Sequence, residues 1–200
     1  MANPNAPYGL RPLAYQSGAA YNGAVKVYYV SPSYGTAIYV GDPVTTVTAT
    51  ADAAGIPAVT LATAGAGNYL LGPMVGIANN AGQLVTTLLQ SSPAYLPAST
   101  GGYIYVADDP FLLYGIQENS NPSALAVTAS SRNVALNAGS GGSTITALSS
   151  WQIDSNTLGT SASQLRLIQP LQVQGNTPGT TYTQWLVKVL QAQLNNTTGT

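Results

Sequence analysis

The stretch GGYIYVADDPFLLYGIQEN, residues 101–119, decides how this chain is read. Tyr103 and Tyr105 alternate with Ile104 and Val106; Asp108, Asp109 and Pro110 interrupt; Phe111 and Leu113 then alternate with Leu112, Tyr114 and Ile116. Period-two alternation of β-branched and aromatic residues is the pattern of pleated strands. Asp-Asp-Pro is a turn, because Asp bonds its own backbone and Pro presets φ. Both faces of both runs are apolar. Such strands belong to a sandwich or barrel, with one face in the core and the other under a neighbouring element or subunit.

The same pattern extends in both directions. AVKVYYV (24–30), TAIYV (36–40, closed by Gly41 and Pro43), TVTATA (46–51), IPAVTLA (56–62), NYLLGPMVGIA (68–78) and QLVTTLL (83–89) are apolar runs of strand length. Gly or Pro interrupts nearly every window long enough for an amphipathic helix. On the C-terminal side, ALAVTA (124–129) begins another strand, and ITALSSWQI (145–153), SQLRLIQPLQVQ (163–174) and TQWLVKVLQAQL (183–194) continue the series. The last run is ambiguous: Trp185, Val187 and Val189 alternate, while Leu186, Leu190 and Leu194 recur at helical spacing. Its aromatic and β-branched content favours strand. The expected fold is all-β, a β-sandwich or barrel of jelly-roll-like or β-tulip-like form.

The chain opens MANPNAPYGLRPL, with Pro4, Pro7 and Pro12 in thirteen residues. Such a segment is pre-extended and loses little entropy on docking. Residues 1–22 are therefore read as an extended N-terminal arm, 23–195 as the β-rich body and 196–200 as a polar tail. NAGSGGST at 137–144 has linker composition and marks where the body could divide. Pro4, Pro7, Tyr8, Arg11 and Pro12 are the candidate partner-binding residues, with Tyr8 as anchor and Arg11 as its polar companion. Deleting residues 1–13 is expected to leave the body folded and to weaken attachment.

Composition narrows the function. Only 6% of the 200 residues are charged and the net charge is −1, against about 25% charged residues in an ordinary soluble domain. With 45% hydrophobic residues the chain is not a disordered one, and a surface so poor in charge favours self-association. Its 13 tyrosines divide between core and interface. Arg11, Lys26, Arg132, Arg166 and Lys188 are scattered, so no basic stripe exists for a nucleic acid. No basic-then-apolar leader and no run of about 18 apolar residues occurs, so no membrane partner is expected and assembly in a host cytoplasm is.

Catalytic chemistry finds few reagents here. Histidine and cysteine are both absent, which removes the Ser-His-Asp and Cys-His systems, the usual zinc sites and disulfides. The carboxylates Asp42, Asp52, Asp108, Asp109, Glu118 and Asp154 do not cluster in sequence. Asp108-Asp109-Pro110 and Asp42-Pro43 read as turns. No D-x-D-x-D-G calcium loop and no G-x-G-x-x-G or Walker spacing occurs. The expectation is a non-enzyme with no catalytic residue, no metal and no cofactor.

MANPNAPYGLRPL, TAIYVGDPV, GPMVGI, YIYVADDPFLLYGIQEN and TQWLVKVLQAQL, in that order over nearly the whole chain, resemble a family of tailed-bacteriophage virion proteins with an M-A-N-x-x-A-P-x-G-x-R-P arm before a β-rich body. The chain departs from other members in its few charges and missing histidine. These proteins resemble capsid decoration, or cement, proteins. The resemblance implies a virion structural protein on the capsid exterior, bound to the major capsid protein and to itself as a homodimer or homotrimer, stabilising the shell. A tail or head-fibre component is the structural alternative. A carbohydrate-binding or glycan-degrading module, with Tyr and Trp as stacking platforms, is the alternative from another class.

Overall fold

A computed structural model describes residues 3–78 and 94–195, and the fold is all-β. Eleven strands are described: β1 (Arg11–Tyr15), β2 (Lys26–Val30), β3 (Pro43–Ala51), β4 (Pro57–Leu61), β5 (Gly72–Ala78), β6 (Gly102–Val106), β7 (Leu112–Gln117), β8 (Asn133–Asn137), β9 (Gln152–Gly159), β10 (Leu165–Pro170) and β11 (Gln184–Val189). They form two assemblies. Strands β2-β4-β3-β5-β6 close into a barrel, and β1-β7-β11-β10-β8-β9 form a six-stranded sheet.

The 101–119 stretch is the passage between the two. β6 pairs with β2 and β5 in the barrel, and β7 pairs with β1 and β11 in the sheet. Asp108, Asp109 and Pro110 make the crossing, where the Asp109 side chain accepts the Phe111 N–H at 2.8 Å. Each assembly has its own core. Tyr28, Val30, Ile38, Val44, Met74 and Ile104 fill the barrel, while Leu10, Tyr114, Ile116, Leu165, Trp185 and Val187 pack against the sheet. Ile104, Val106, Leu112, Tyr114 and Ile116 are thereby buried, while Tyr103 and Leu113 are only half-buried.

In the sheet, β11 alternates between half-buried and buried along its length, with Trp185, Val187 and Val189 inward. Cross-strand packing decides for strand over helix there. The sheet also curls: a parallel bridge between Glu118 and Ile153 joins the end of β7 to β9. Glu118 fixes that closure from the inside. Its carboxylate accepts from the N–H groups of Leu125 (2.9 Å) and Thr183 (3.4 Å) and the hydroxyls of Ser120 and Ser155 (both 3.4 Å). Burial raises the pKa of this carboxyl, against the pull of those donors.

Several expectations need correction. The extended arm read over 1–22 is not all arm: Arg11–Tyr15 form β1, an edge strand of the sheet, running from Arg11 opposite Gly115 to Tyr15 opposite Leu112 with a bulge between Pro12 and Ala14. A linker composition at 137–144 does not divide the body, because those residues connect β8 to β9, which pair with each other in one sheet. The change of assembly falls instead at 107–111. ALAVTA carries a 3-10 turn at Val127–Ala129, since Leu125 and Ala129 are buried while Val127 between them is exposed, a spacing of four rather than two. TAIYV makes only isolated bridges, Ile38 to Leu96 and Val40 to Leu148, because it runs between the assemblies with both Ile38 and Tyr39 buried. In ITALSSWQI the strand begins only at Gln152; the Ser143 hydroxyl caps the N–H groups of Ile145 and Thr146 in a turn before it. QLVTTLL and the 196–200 tail lie outside the described residues.

Candidate interaction site: the arm on the curled sheet

The N-terminal residues lie extended across the sheet, held by side chains that the sheet supplies. Asn3 is buried: its amide donates to the Thr177 carbonyl and the Thr180 hydroxyl, both at 3.2 Å, and its oxygen accepts the Thr177 N–H at 2.7 Å. Gln117, at the end of β7 and buried, bonds the arm backbone twice. Its oxygen accepts the Ala6 N–H at 3.0 Å and its amide donates to the Pro4 carbonyl at 2.9 Å. Proline has no N–H of its own, so a glutamine presenting one donor and one acceptor matches what an Asn-Pro-Asn-Ala segment offers.

Tyr8 donates its hydroxyl to Gln184 of β11 at 3.0 Å. Burial pushes that hydroxyl up to about 12, with the nearby Arg11 charge pulling the other way. The Arg11 guanidinium lies over the Tyr8 ring, 5.6 Å from its centroid, a cation–π geometry. Gly115 of β7 leaves room for these side chains, because a Cβ there would meet Leu13 at 3.0 Å and the Tyr8 hydroxyl at 3.5 Å.

The next residues lock the arm to the junction of the two assemblies. Leu10 is 1% exposed in the sheet core, and its N–H donates to the Gly41 carbonyl at 2.9 Å. Gly9 (φ +70°) and Gly41 (φ +94°) face each other so closely that a Cβ on Gly9 would strike the Gly41 carbonyl and one on Gly41 the Tyr8 carbonyl. Only glycine fits either place. The 39–42 turn beyond Gly41 ties in two further elements: the Gly41 N–H donates to the Met74 carbonyl of β5, and the Ser149 N–H to the Val40 carbonyl.

At the centre of that turn sits Asp42, 3% exposed, accepting the Tyr39 N–H at 2.8 Å and the Ser149 hydroxyl. Burial pushes its carboxyl up to about 6.

The five sequence-predicted residues thus share one strip, but the strip is folded onto this chain's own sheet. Pro4, exposed, is held through its carbonyl; Pro7 and Tyr8 are half-buried; Arg11 is exposed; Pro12 sits in β1 opposite Tyr114. Removing residues 1–13 would take Leu10 from the core and uncover the β7 edge, so the deletion is expected to cost the body stability as well as attachment. Sequence reasoning missed the receiving side, namely Gln117, Gln184 and Gly41. Glutamines inside apolar strands were the available signal, since a buried amide requires partners.

The remaining carboxylates are engaged locally. Asp52 accepts from the N–H groups of Ala54 (2.9 Å) and Ile56 (2.8 Å) and from the Tyr103 hydroxyl (2.6 Å). Asp154 caps Asn156 at 3.1 Å. Asp108, 6% exposed, accepts the Tyr28 hydroxyl at 2.8 Å and pairs with Lys26 at 2.9 Å, the one ion pair among the described residues. Among those residues no three acidic side chains gather as a metal site would require, and no helix is long and apolar enough to cross a membrane.

No family model matches this chain, and neither a curated protein nor a solved structure is similar to it.

Proposed function

We propose that the chain is a non-enzymatic structural protein of a tailed-phage virion, a decoration protein that binds the exterior of the major capsid shell and stabilises it. The observation that carries this reading is the division of labour among the side chains. The buried or capping carboxylates serve the fold itself, while large apolar groups stand in solvent: Ile145 is 94% exposed and Phe111 57%, with Val127, Val173 and Leu194 about half exposed. A surface short of charge and bearing such groups is one that neighbours cover. The resemblance of the arm and the strand motifs to decoration proteins names the neighbour. Many modest contacts repeated over a lattice then give high avidity without any one deep interface.

The test is co-sedimentation of the purified chain with expanded empty capsids of the phage that encodes it. Saturable binding at a fixed ratio to the capsid subunit is the expected result. A chain that stays in the supernatant, and is absent from intact particles, overturns the reading.

A further inference from the structure

Beside the arm lies a cleft of about 210 Å³, lined by Leu10, Pro12, Val40, Val75 and Leu148, with Arg11 at its side. It is smaller than the roughly 300–1,000 Å³ of small-molecule sites, a size suited to one inserted side chain. Arg11 is the one charged residue in its lining, and it is exposed. Its guanidinium faces the Tyr8 ring and meets no carboxylate among the described residues. The planar group is thereby oriented with N–H donors unused, the arrangement suited to a carboxylate in bidentate geometry.

The cleft exists only with the arm in place, because Tyr8, Leu10, Arg11 and Pro12 form one wall of it. The other wall comes from the barrel and the β8–β9 connection, so three separate parts of the chain converge there.

We propose that this cleft docks an apolar side chain of a neighbouring capsid subunit, and that a carboxylate next to that side chain pairs with Arg11. The assignment of the neighbour rests on the decoration reading above; the chemistry of the occupant, apolar beside acidic, rests on the cleft. The arm then acts as a folded receptor wall rather than as a free strap. Its prolines hold the shape without needing ladder donors.

The test has two arms. Leu148, half-buried in the cleft lining, is the reporter: with leucine methyls labelled, its signals are assigned by their loss in Leu148→Phe. Titration with the blocked dipeptide acetyl-Leu-Asp-amide is expected to shift the Leu148 methyls saturably. Acetyl-Leu-Asn-amide on the native chain, and acetyl-Leu-Asp-amide on Arg11→Gln, are each expected to bind about fivefold more weakly, the loss of one exposed charge-assisted contact. No Leu148 shift up to the solubility limit of the peptide, or equal response to the acid and the amide, overturns the proposal.

In the second arm, Arg11→Gln and the cleft-filling Leu148→Phe, each checked for an unchanged melting temperature, are sedimented with capsids. Loss of binding by both supports the cleft. Native-like binding by both overturns it while leaving the decoration reading intact, and failure of the native chain to bind overturns that reading independently of the peptide result. An Arg11-dependent dimer without capsid binding assigns the cleft to a second copy and overturns the capsid occupant.

Discussion

Replacing Asp42 with asparagine should remove a specific part of the pH dependence of folding. The carboxyl is almost wholly buried in the 39–42 turn, facing the Tyr39 N–H and the Ser149 hydroxyl, with no basic group beside it among the described residues. Its pKa rises from an ordinary 3.8 to about 6 because burial disfavours the charged form more than the two donors favour it. The folded chain therefore holds this proton more tightly than the unfolded chain. The stabilisation is fully present below about pH 4 and is lost as pH rises through about 6. At 1.36 kcal/mol for each tenfold difference in proton affinity, the two pKa values correspond to about 3 kcal/mol.

Urea unfolding of the native chain and of Asp42→Asn at several pH values between about 4 and 8 isolates this contribution. Glu118, also shifted upward, changes both proteins alike and cancels in the comparison. The variant should gain about 2 to 3 kcal/mol relative to the native chain between the acid and the alkaline end. Asparagine keeps an acceptor for the Tyr39 N–H, and the Ser149 hydroxyl can turn to accept from the new amide. A stability difference between the two proteins that does not vary with pH would refute a buried, proton-binding Asp42.

Gly9→Ala should unseat the arm, because the added Cβ meets the Gly41 carbonyl at a positive φ; faster proteolysis within the first ten residues and a lower melting temperature are the expected readouts. Leu10→Ala should cost about 2–5 kcal/mol in urea unfolding, as for other fully buried leucines, whereas truncation of residues 1–7 should cost less because it spares that side chain. Gln117→Ala should accelerate amide exchange at Ala6, which loses its acceptor, with little change at the β11 amides of Trp185 and Val187. Lys26→Met should change stability by less than about 1 kcal/mol, since the lysine is 65% exposed.

The strand content was legible because alternation of Tyr, Val, Ile and Leu reports directly on two-sided burial. The 101–119 stretch supplied two strands and the turn between them. What the pattern does not encode is which strands are partners. Nothing in YIYV and LLYGI, separated by one short turn, says that the first closes a barrel and the second enters a different sheet; that depends on long-range packing. The arm was misjudged for a related reason. Three prolines exclude a helix and a central strand, yet Pro12 stands in an edge strand beside the bulge between Pro12 and Ala14, a place where a missing ladder donor is tolerated. TAIYV carried full strand composition and made only bridges, since its partners Leu96 and Leu148 lie in connections outside the named strands.

Of the candidate site, the ligand side was legible and the receiving side was not. Tyr8 and Arg11 stand out as the aromatic and the cation of an otherwise small-residue segment. Gln117 lies between Ile116 and Glu118 in a sequence where glutamine is common, and only the fold shows that its amide is turned toward the arm. Gly41 was read as a strand terminator; its second role, receiving Leu10 and Gly9, arises from a contact across more than thirty residues.

A cryo-electron-microscopy reconstruction of the intact particle measures the central claim most directly. The expected density is copies in the hundreds on the outer face of the shell, each with its arm folded on its own sheet and the cleft beside Arg11 turned toward a capsid subunit. A shell without this chain, or copies confined to a few dozen positions on the tail, would contradict it.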